Sequence, residues 1–283
     1  MAFQFYALNQ TSRSWQGICA AYNGDVYAGV GAATGLWIRP NGEDTFVELK
    51  DSGDASYPQN IYGLVGLPNG DIYRTRNGFI NKKRTGGTGD FVDYPVNGDT
   101  FSLMGLAYSP ITGYIYQCHF NGPGVSRFLP THDPNHAHVE TPSNSANQTF
   151  EACVSKDGDV YITCHQGNGP GGGSLGYCAV LRGETGLYVN LENEYFPDIG
   201  GTGAWQAWQG CGAATNGDVY ISNGTTVFRQ AYGTNTFLTF QSLGFRSIHG
   251  APDGSVYGTI SSGDIWKLDS PTSKLTEYAQ IIG

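Results

Sequence analysis

Charge is scarce in this sequence. Lys, Arg, Asp and Glu together make up 14% of it, and its 15 basic residues form no block. With a formal net charge of −9 and no basic patch, the chain is not expected to bind a nucleic-acid backbone or an anionic membrane. No apolar run approaches the ~20 residues a membrane span needs, so membrane insertion is not expected either. Residues 1–6 lack a basic region followed by an apolar core, and no secretory signal is expected. Apolar residues never keep helical spacing beyond two turns, which excludes helical bundles. No Cys-x-x-Cys pair, Gly-x-Ser-x-Gly elbow, phosphate loop or Cys–His signature occurs, and with them go the common thiol, acyl-transfer and nucleotide chemistries. The six cysteines read as free, buried thiols. Cys164 and Cys178 flank a Gly-rich loop, and a cross-strand disulfide between them stays open.

What the chain has in abundance is 42 Gly, 18 Tyr and 13% aromatic residues, a composition suited to turns and strands. The phrase Asn-Gly-Asp-Val-Tyr stands at 23–27 and again at 216–220, with relatives at 69–73, 112–116, 157–161 and 253–257. Measured on Gly24, Gly70, Gly113, Gly158, Gly217 and Gly254, the period runs from 37 to 59 residues. A turn dipeptide followed by alternating apolar residues is a hairpin signal, and six at this spacing predict four-stranded blades. The expectation is therefore an all-β chain, a single six-bladed β-propeller of four-stranded antiparallel blades. The units would run over about 15–59, 60–100, 101–147, 148–204, 205–244 and 245–283, with 1–14 as a terminal outer strand and entry. Each unit has a small-residue first strand (15–21, 61–67, 103–108, 149–155, 208–214, 245–251). Its third position reads Gly17, Gly63, Gly105, Glu151, Gly210 and Ser247, as an inner strand requires where backbones crowd. Fourth strands are expected at 46–49, 91–94, 138–141, 187–190, 237–240 and 275–278. A seventh candidate at 5–8 leaves one terminal strand surplus.

A basic residue recurs in every third strand (Arg39, Lys82, Arg127, Arg182, Arg229, Lys267). It reads as a structural column that pairs with turn aspartates or packs between blades, because it lies in the outer half of the blade and not at the channel. Two long loops, 167–177 and 191–207, share one face. The second carries Tyr195, Phe196 and Trp205 and leads into Trp208 and Gln209, an aromatic group suited to sugars or a protein contact. The second inner-strand positions Gln16, Tyr62, Met104, Phe150, Gln209 and Arg246 would ring the channel mouth, with Trp15 beside them. These aromatics also fit as caps on a blade interface. His132, His136 and His138 in one polar loop are metal candidates by spacing, although a polar loop without metal is the commoner arrangement. His119, His165 and His249 read as satisfied polar residues. Asn9, Asn147 and Asn223 open Asn-x-Thr sequons that fall by chance in an Asn- and Thr-rich chain. Glu151 is the only inner-strand carboxylate. Six-bladed lactonases of the gluconolactonase type hold a divalent cation with Glu, Asn and Asp at this place, and streptogramin lyases use a channel His.

The phrases "NGDVYAGV", "NGDIYRTRNGFINKKRTGGTGDFV" and "FYALNQTSRSWQGICAAYNGDVYA" resemble the Gly-Asp-Ile-Tyr and Thr-Gly-Gly-Thr-Gly-Asp-Phe repeats of predicted structural proteins of tailed bacteriophages. The resemblance spans nearly the whole chain and is weakest in the fourth unit. It implies a non-enzymatic virion protein of tail, fibre or capsid surface, without cofactor. Its partners would be other virion proteins and a host-surface glycan or receptor, met through Trp205 and its neighbours. The alternative is a channel-site hydrolase or lyase of the six-bladed lactonase type.

Overall fold

The computed structural model describes residues 6–8, 13–31, 35–53, 55–57, 60–76, 79–83, 90–94, 102–120, 124–130, 137–139, 148–166, 176–185, 188–191, 208–260 and 263–269. These form six antiparallel sheets of four strands each. A short strand β1 (Tyr6–Ala7) precedes the first sheet, which holds β2 (Trp15–Ala20), β3 (Val26–Val30), β4 (Leu36–Arg39) and β5 (Val47–Leu49). The second has β6 (Leu64–Gly66), β7 (Ile72–Arg76), β8 (Phe79–Lys83) and β9 (Val92–Tyr94). The third has β10 (Ser102–Tyr108), β11 (Ile115–Phe120), β12 (Val125–Phe128) and β13 (Ala137–Val139). The fourth has β14 (Gln148–Val154), β15 (Val160–Gln166), β16 (Tyr177–Leu181) and β17 (Val189–Asn190). The fifth has β18 (Cys211–Ala213), β19 (Val219–Ser222), β20 (Val227–Gln230) and β21 (Leu238–Gln241). The sixth has β22 (Ser247–Gly250), β23 (Val256–Thr259) and β24 (Ile265–Leu268), and β1 completes it. Tyr6 pairs with Lys267 and Ala7 with Trp266, so the N-terminal strand ties the last sheet to the first and covers its open edge. Segment 275–278 lies outside the described residues. Among those residues no helix is long and apolar enough to cross a membrane.

The repeated phrase builds the same turn six times. The backbone N–H of Asp25 donates to Asn23 Oδ1 at 3.1 Å, and that of Gly24 to the Ala21 carbonyl at 3.0 Å. Gly24 takes φ +90°, a value costly to any residue with a Cβ, and its five counterparts are also positive. The tyrosine that ends each phrase then fills one gap between sheets. Tyr27, Tyr73, Tyr116, Tyr161, Tyr220 and Tyr257 each sit in a different one of six buried clusters. Five clusters join consecutive sheets. The sixth joins Tyr257, Ala251 and Ile265 of the last sheet to Trp15 and Ile18 of the first. The alternation of strands supplies this core, because each sheet buries both faces against its neighbours.

The inner strands approach closely along the axis. A Cβ on Gly17 would lie 2.2 Å from the Tyr62 carbonyl oxygen, and one on Gly63 would lie 2.1 Å from that of Met104. Glycine stands at these positions because the neighbouring backbone already occupies the space a side chain would take.

The basic column is structural. Arg229 pairs with Asp218 at 2.6 Å, Arg182 pairs with Asp159, and Lys267 pairs with Asp269 at 3.0 Å. Arg39 donates to the Tyr257 hydroxyl across the first and last sheets at 2.7 Å, and Arg127 lies over the Tyr114 ring. The Lys82 side chain falls outside the described residues. Cys164 and Cys178 are free, as are the other four cysteines. Cys164 packs into the cluster between the third and fourth sheets and Cys178 into that between the fourth and fifth, so their side chains leave opposite faces of one sheet and cannot bond.

One buried carboxylate ties the third sheet to the fourth. Glu184 accepts hydrogen bonds from Ser109 Oγ, from Thr112 Oγ1 at 2.5 Å and from the Tyr116 hydroxyl at 2.6 Å. Replacing it by Ala strands the buried hydroxyls of Ser109 and Tyr116 and takes a partner from the exposed Thr112. Glu184→Ala is expected to lower unfolding free energy by about 3 kcal/mol, read as a shifted midpoint in urea denaturation; an unchanged midpoint would remove the carboxylate from the framework.

Candidate functional site

Taking as upper the end at which each first strand begins, the third positions of the inner strands form a collar of Gly17, Gly63, Gly105, Glu151, Gly210 and Ser247. Five of the six carry at most a hydroxymethyl group. Glu151, in the middle of β14, therefore stands out as the one long side chain. Its Oε1 lies 2.8 Å from where a Cβ on Gly105 would be, so the glycine of the third sheet makes the room in which the carboxyl rests. Glu151 is 6% exposed. Burial, first of all, holds its carboxyl well above the usual carboxylate range. The Ser247 hydroxyl, brought from the sixth sheet, faces this carboxyl and opposes the shift, as the charge of Arg246 does more weakly. That hydroxyl is 1% exposed and meets no hydrogen-bond geometry among the described residues.

Arg246 precedes Ser247 and reaches over the Phe150 ring of the fourth sheet, its Cζ 4.8 Å from the ring centroid. Burial lowers its pKa, while Tyr62 and Glu151 act in the opposite sense. Phe150 meets Phe120 edge-on at 5.8 Å, and Tyr62 packs against the cluster that holds Met104 and Phe150. The upper mouth thus combines a buried carboxyl with a raised pKa, a guanidinium and an aromatic wall drawn from the second, third, fourth and sixth sheets.

At the lower end, a cavity of about 150 Å³ is lined by Val65, Ala107, Ala152, Cys153, Ala213 and His249 among others. The backbone N–H of Ala20 donates to His249 Nδ1 at 3.3 Å, which places the ring proton on Nε2. Burial lowers the pKa of His249 to about 4.

Opposite pH trends follow from the two groups. The folded-state pKa of Glu151 is raised, so its contribution to stability is complete below the ordinary value of 4.5 and is lost as pH rises through the folded value. His249 is shifted down from 6.5, so its contribution is complete above that value and is lost as pH falls toward about 4. Thermal midpoints measured from about pH 4 to 9 are expected to fall on the alkaline side for the native chain and not for Glu151→Gln. Equal alkaline slopes in both would show that Glu151 ionises freely.

The structure brings together some of the sequence-derived candidates and separates others. Arg246 and Tyr62 converge at the upper mouth. Trp15 and Trp208 do not belong to a contact surface: both are 1% exposed. Trp15 meets Trp37 edge-on at 6.1 Å, and Trp208 packs on Phe228 at 5.6 Å. Large apolar rings at the start of an inner strand are drawn into the gap between sheets. Gln16 turns back over its own sheet, where Nε2 donates to Ser14 Oγ at 3.3 Å. The Gln209 backbone carbonyl accepts from Thr163 Oγ1 at 2.5 Å. Tyr195, Phe196, Trp205, His132 and His136 lie outside the described residues, and of His138 only the strand backbone, paired with Ser126, is described. Glu151 was legible in the sequence only as a lone carboxylate. Its neighbour Ser247 holds the equivalent position of the sixth inner strand, and no local spacing announces that the two side chains meet.

A divalent cation as in the lactonases does not fit this collar. The positions equivalent to Glu151 offer four glycines and one serine, and among the described residues no three His, Cys, Asp or Glu side chains gather as metal ligands. A single carboxylate is a poor donor set for a hard cation.

No family model and no curated protein gives a match to the sequence. Solved structures do. Virginiamycin B lyase from Staphylococcus aureus is 13% identical, with 95% of this chain and 88% of that one covered at a TM-score of 0.61. A putative gluconolactonase is 12% identical over 95% and 92% of the two chains at 0.62. A putative oxidoreductase (glucose dehydrogenase) from Thermus thermophilus is 14% identical over 93% and 99% at 0.59. At such identities the likeness shows the fold alone, and the fold is that of the β-propellers. It also corrects the expectation of a non-enzymatic virion protein. These neighbours are a lyase, a putative lactonase and a putative oxidoreductase, not virion proteins; repeats of Gly-Asp-Val-Tyr type specify a turn and an interface, not a biological role.

Proposed function

We propose that the six sheets are the blades of one six-bladed ring, and that its upper mouth is the site of an enzyme cleaving a C–O bond in a lactone or related ester. The observation that carries this is Glu151, a carboxyl whose burial favours its protonated form, set in a collar otherwise closed by glycine and serine. A carboxylic acid kept neutral near pH 7 can protonate a leaving oxygen. In hydrolysis, water adds to the carbonyl carbon, the ring C–O bond breaks, and the departing oxygen takes the proton of Glu151. The carboxylate so formed on Glu151 takes up one proton of the added water, whose other hydrogen stays on the acid released. Arg246 keeps a positive charge beside the reacting group throughout, where low dielectric strengthens its effect. The lyase and lactonase folds among the neighbours support this chemistry over simple binding.

The test is a panel of five- and six-membered lactones and aryl esters, followed by pH-stat titration and by phenolate release. Turnover by the native chain and its loss in Glu151→Gln are expected. A chain inert toward the whole panel, or a Glu151→Gln variant as active as the native one, would refute the assignment.

A further inference from the structure

Among the described residues the Arg246 guanidinium makes no ion pair and no hydrogen bond; it lies over the face of Phe150 at 4.8 Å, with Tyr62 and Glu151 near enough to act on its charge. Each described arginine or lysine side chain of the third-strand column, by contrast, has a polar partner: Arg39 a tyrosine hydroxyl, Arg127 the Glu184 carbonyl, Arg182 and Arg229 aspartates of the turns, Lys267 Asp269. A guanidinium cannot shed its charge to escape burial, and burial disfavours the charged form of the nearby Glu151 carboxyl. Beside it Ser247, the next residue, is buried, and its hydroxyl faces the Glu151 carboxyl without meeting full hydrogen-bond geometry.

We propose that the ligand of the upper mouth carries a carboxylate on a flat apolar body, with the carboxylate held by the Arg246 fork and the body lying against Phe150 and Tyr62. The inference rests on the reading of this mouth as the working site. A carboxylate fits better than a phosphate because Arg246 is the single cation in the group, and a doubly charged ligand would keep an uncompensated charge in a half-buried place. The planar fork of arginine also matches the two oxygens of a carboxylate in geometry. The neutral acid of Glu151 and the Ser247 hydroxyl are donors for whichever oxygen remains, which a carboxylate can accept and an amide can only half satisfy.

Benzoate and its neutral isostere benzamide are the probes, titrated calorimetrically into the native chain and Arg246→Gln. Benzoate is expected to bind the native chain at least tenfold more tightly than benzamide, and Arg246→Gln is expected to erase that preference. Equal affinity for the two probes, no binding of benzoate at about 10 mM, or a preference that survives in Arg246→Gln would each overturn the proposal. Inorganic sulfate that displaces benzoate at equal concentration would overturn the choice of carboxylate. Should Arg246→Gln fail to fold, the comparison of the two probes on the native chain still decides. Loss of ester turnover in Glu151→Gln is read separately, so carboxylate binding can stand where the cleavage chemistry falls, and the reverse.

Discussion

Glu151→Gln is expected to lower turnover of the ester or lactone substrate by about 10²–10⁴-fold, the range general acid catalysis supplies, while the protein stays folded. The substitution preserves the shape of a side chain that fills the space beside Gly105, so packing along β14 is retained. What it removes is the one transferable proton in the collar. The amide also lacks the ionisation that burial suppresses, and the variant is therefore expected to be at least as stable as the native chain above neutral pH. Activity lost together with stability gained is a combination that a merely structural carboxyl would not produce. In the native chain the rate should fall on the alkaline side as Glu151 gives up its proton, and measurement of kcat/KM against pH tests this; a rate that climbs through the same range would make Glu151 a base or a bystander.

Gly63→Ala is expected to destabilise the chain by about 3 kcal/mol or more, an overpacking cost at the upper end for a single methyl group. The new Cβ would stand 2.1 Å from the Met104 carbonyl oxygen and 3.0 Å from the backbone of Gly105 and Leu106. Those atoms belong to the neighbouring inner strand and cannot swing aside as a flexible side chain can. Relief requires the second and third sheets to move apart, and with them the rings of Tyr73 and Phe128 that meet at 6.4 Å in the same gap. Gly263→Ala is the control, since a Cβ there meets nothing nearer than 3.7 Å, and its effect should stay within about 1 kcal/mol. Chemical denaturation of both variants decides the matter. If the two behave alike, the inner strands are not held at the separation described.

Much of the architecture was legible because it repeats. A Gly-Asp turn followed by alternating apolar residues encodes one hairpin by local physics, and six copies announce six sheets. The collar of glycines was legible for the same reason, and the structure supplies its cause in the carbonyl oxygens of Tyr62 and Met104. The basic column was readable from its place in the third strand. The contact surface was not. Trp15, after the polar stretch 9–14, and Trp208, at the end of the long loop 191–207, look like exposed aromatics in a linear text, yet each fills a gap between sheets. Which terminus supplies the closing strand was equally undecided, because 5–8 and 275–278 have the same pattern and only pairing can choose between them.

The site shows the same division. Glu151 was visible as the single carboxylate on an inner strand, and Arg246 as a member of the second-position ring. Nothing along the chain says that Arg246 crosses from the sixth sheet to the ring of Phe150 in the fourth, or that Ser247 faces the carboxyl of Glu151. These residues are separated by 95 positions or more in sequence, and they meet only because the sheets are arranged about an axis. Local composition thus determined the turns, the strands, their number and the crowded collar, since each depends on forces acting within one repeat. Tertiary structure alone decided which side chains share the axis, because packing the last sheet against the first brings together strands that no short stretch of chain connects.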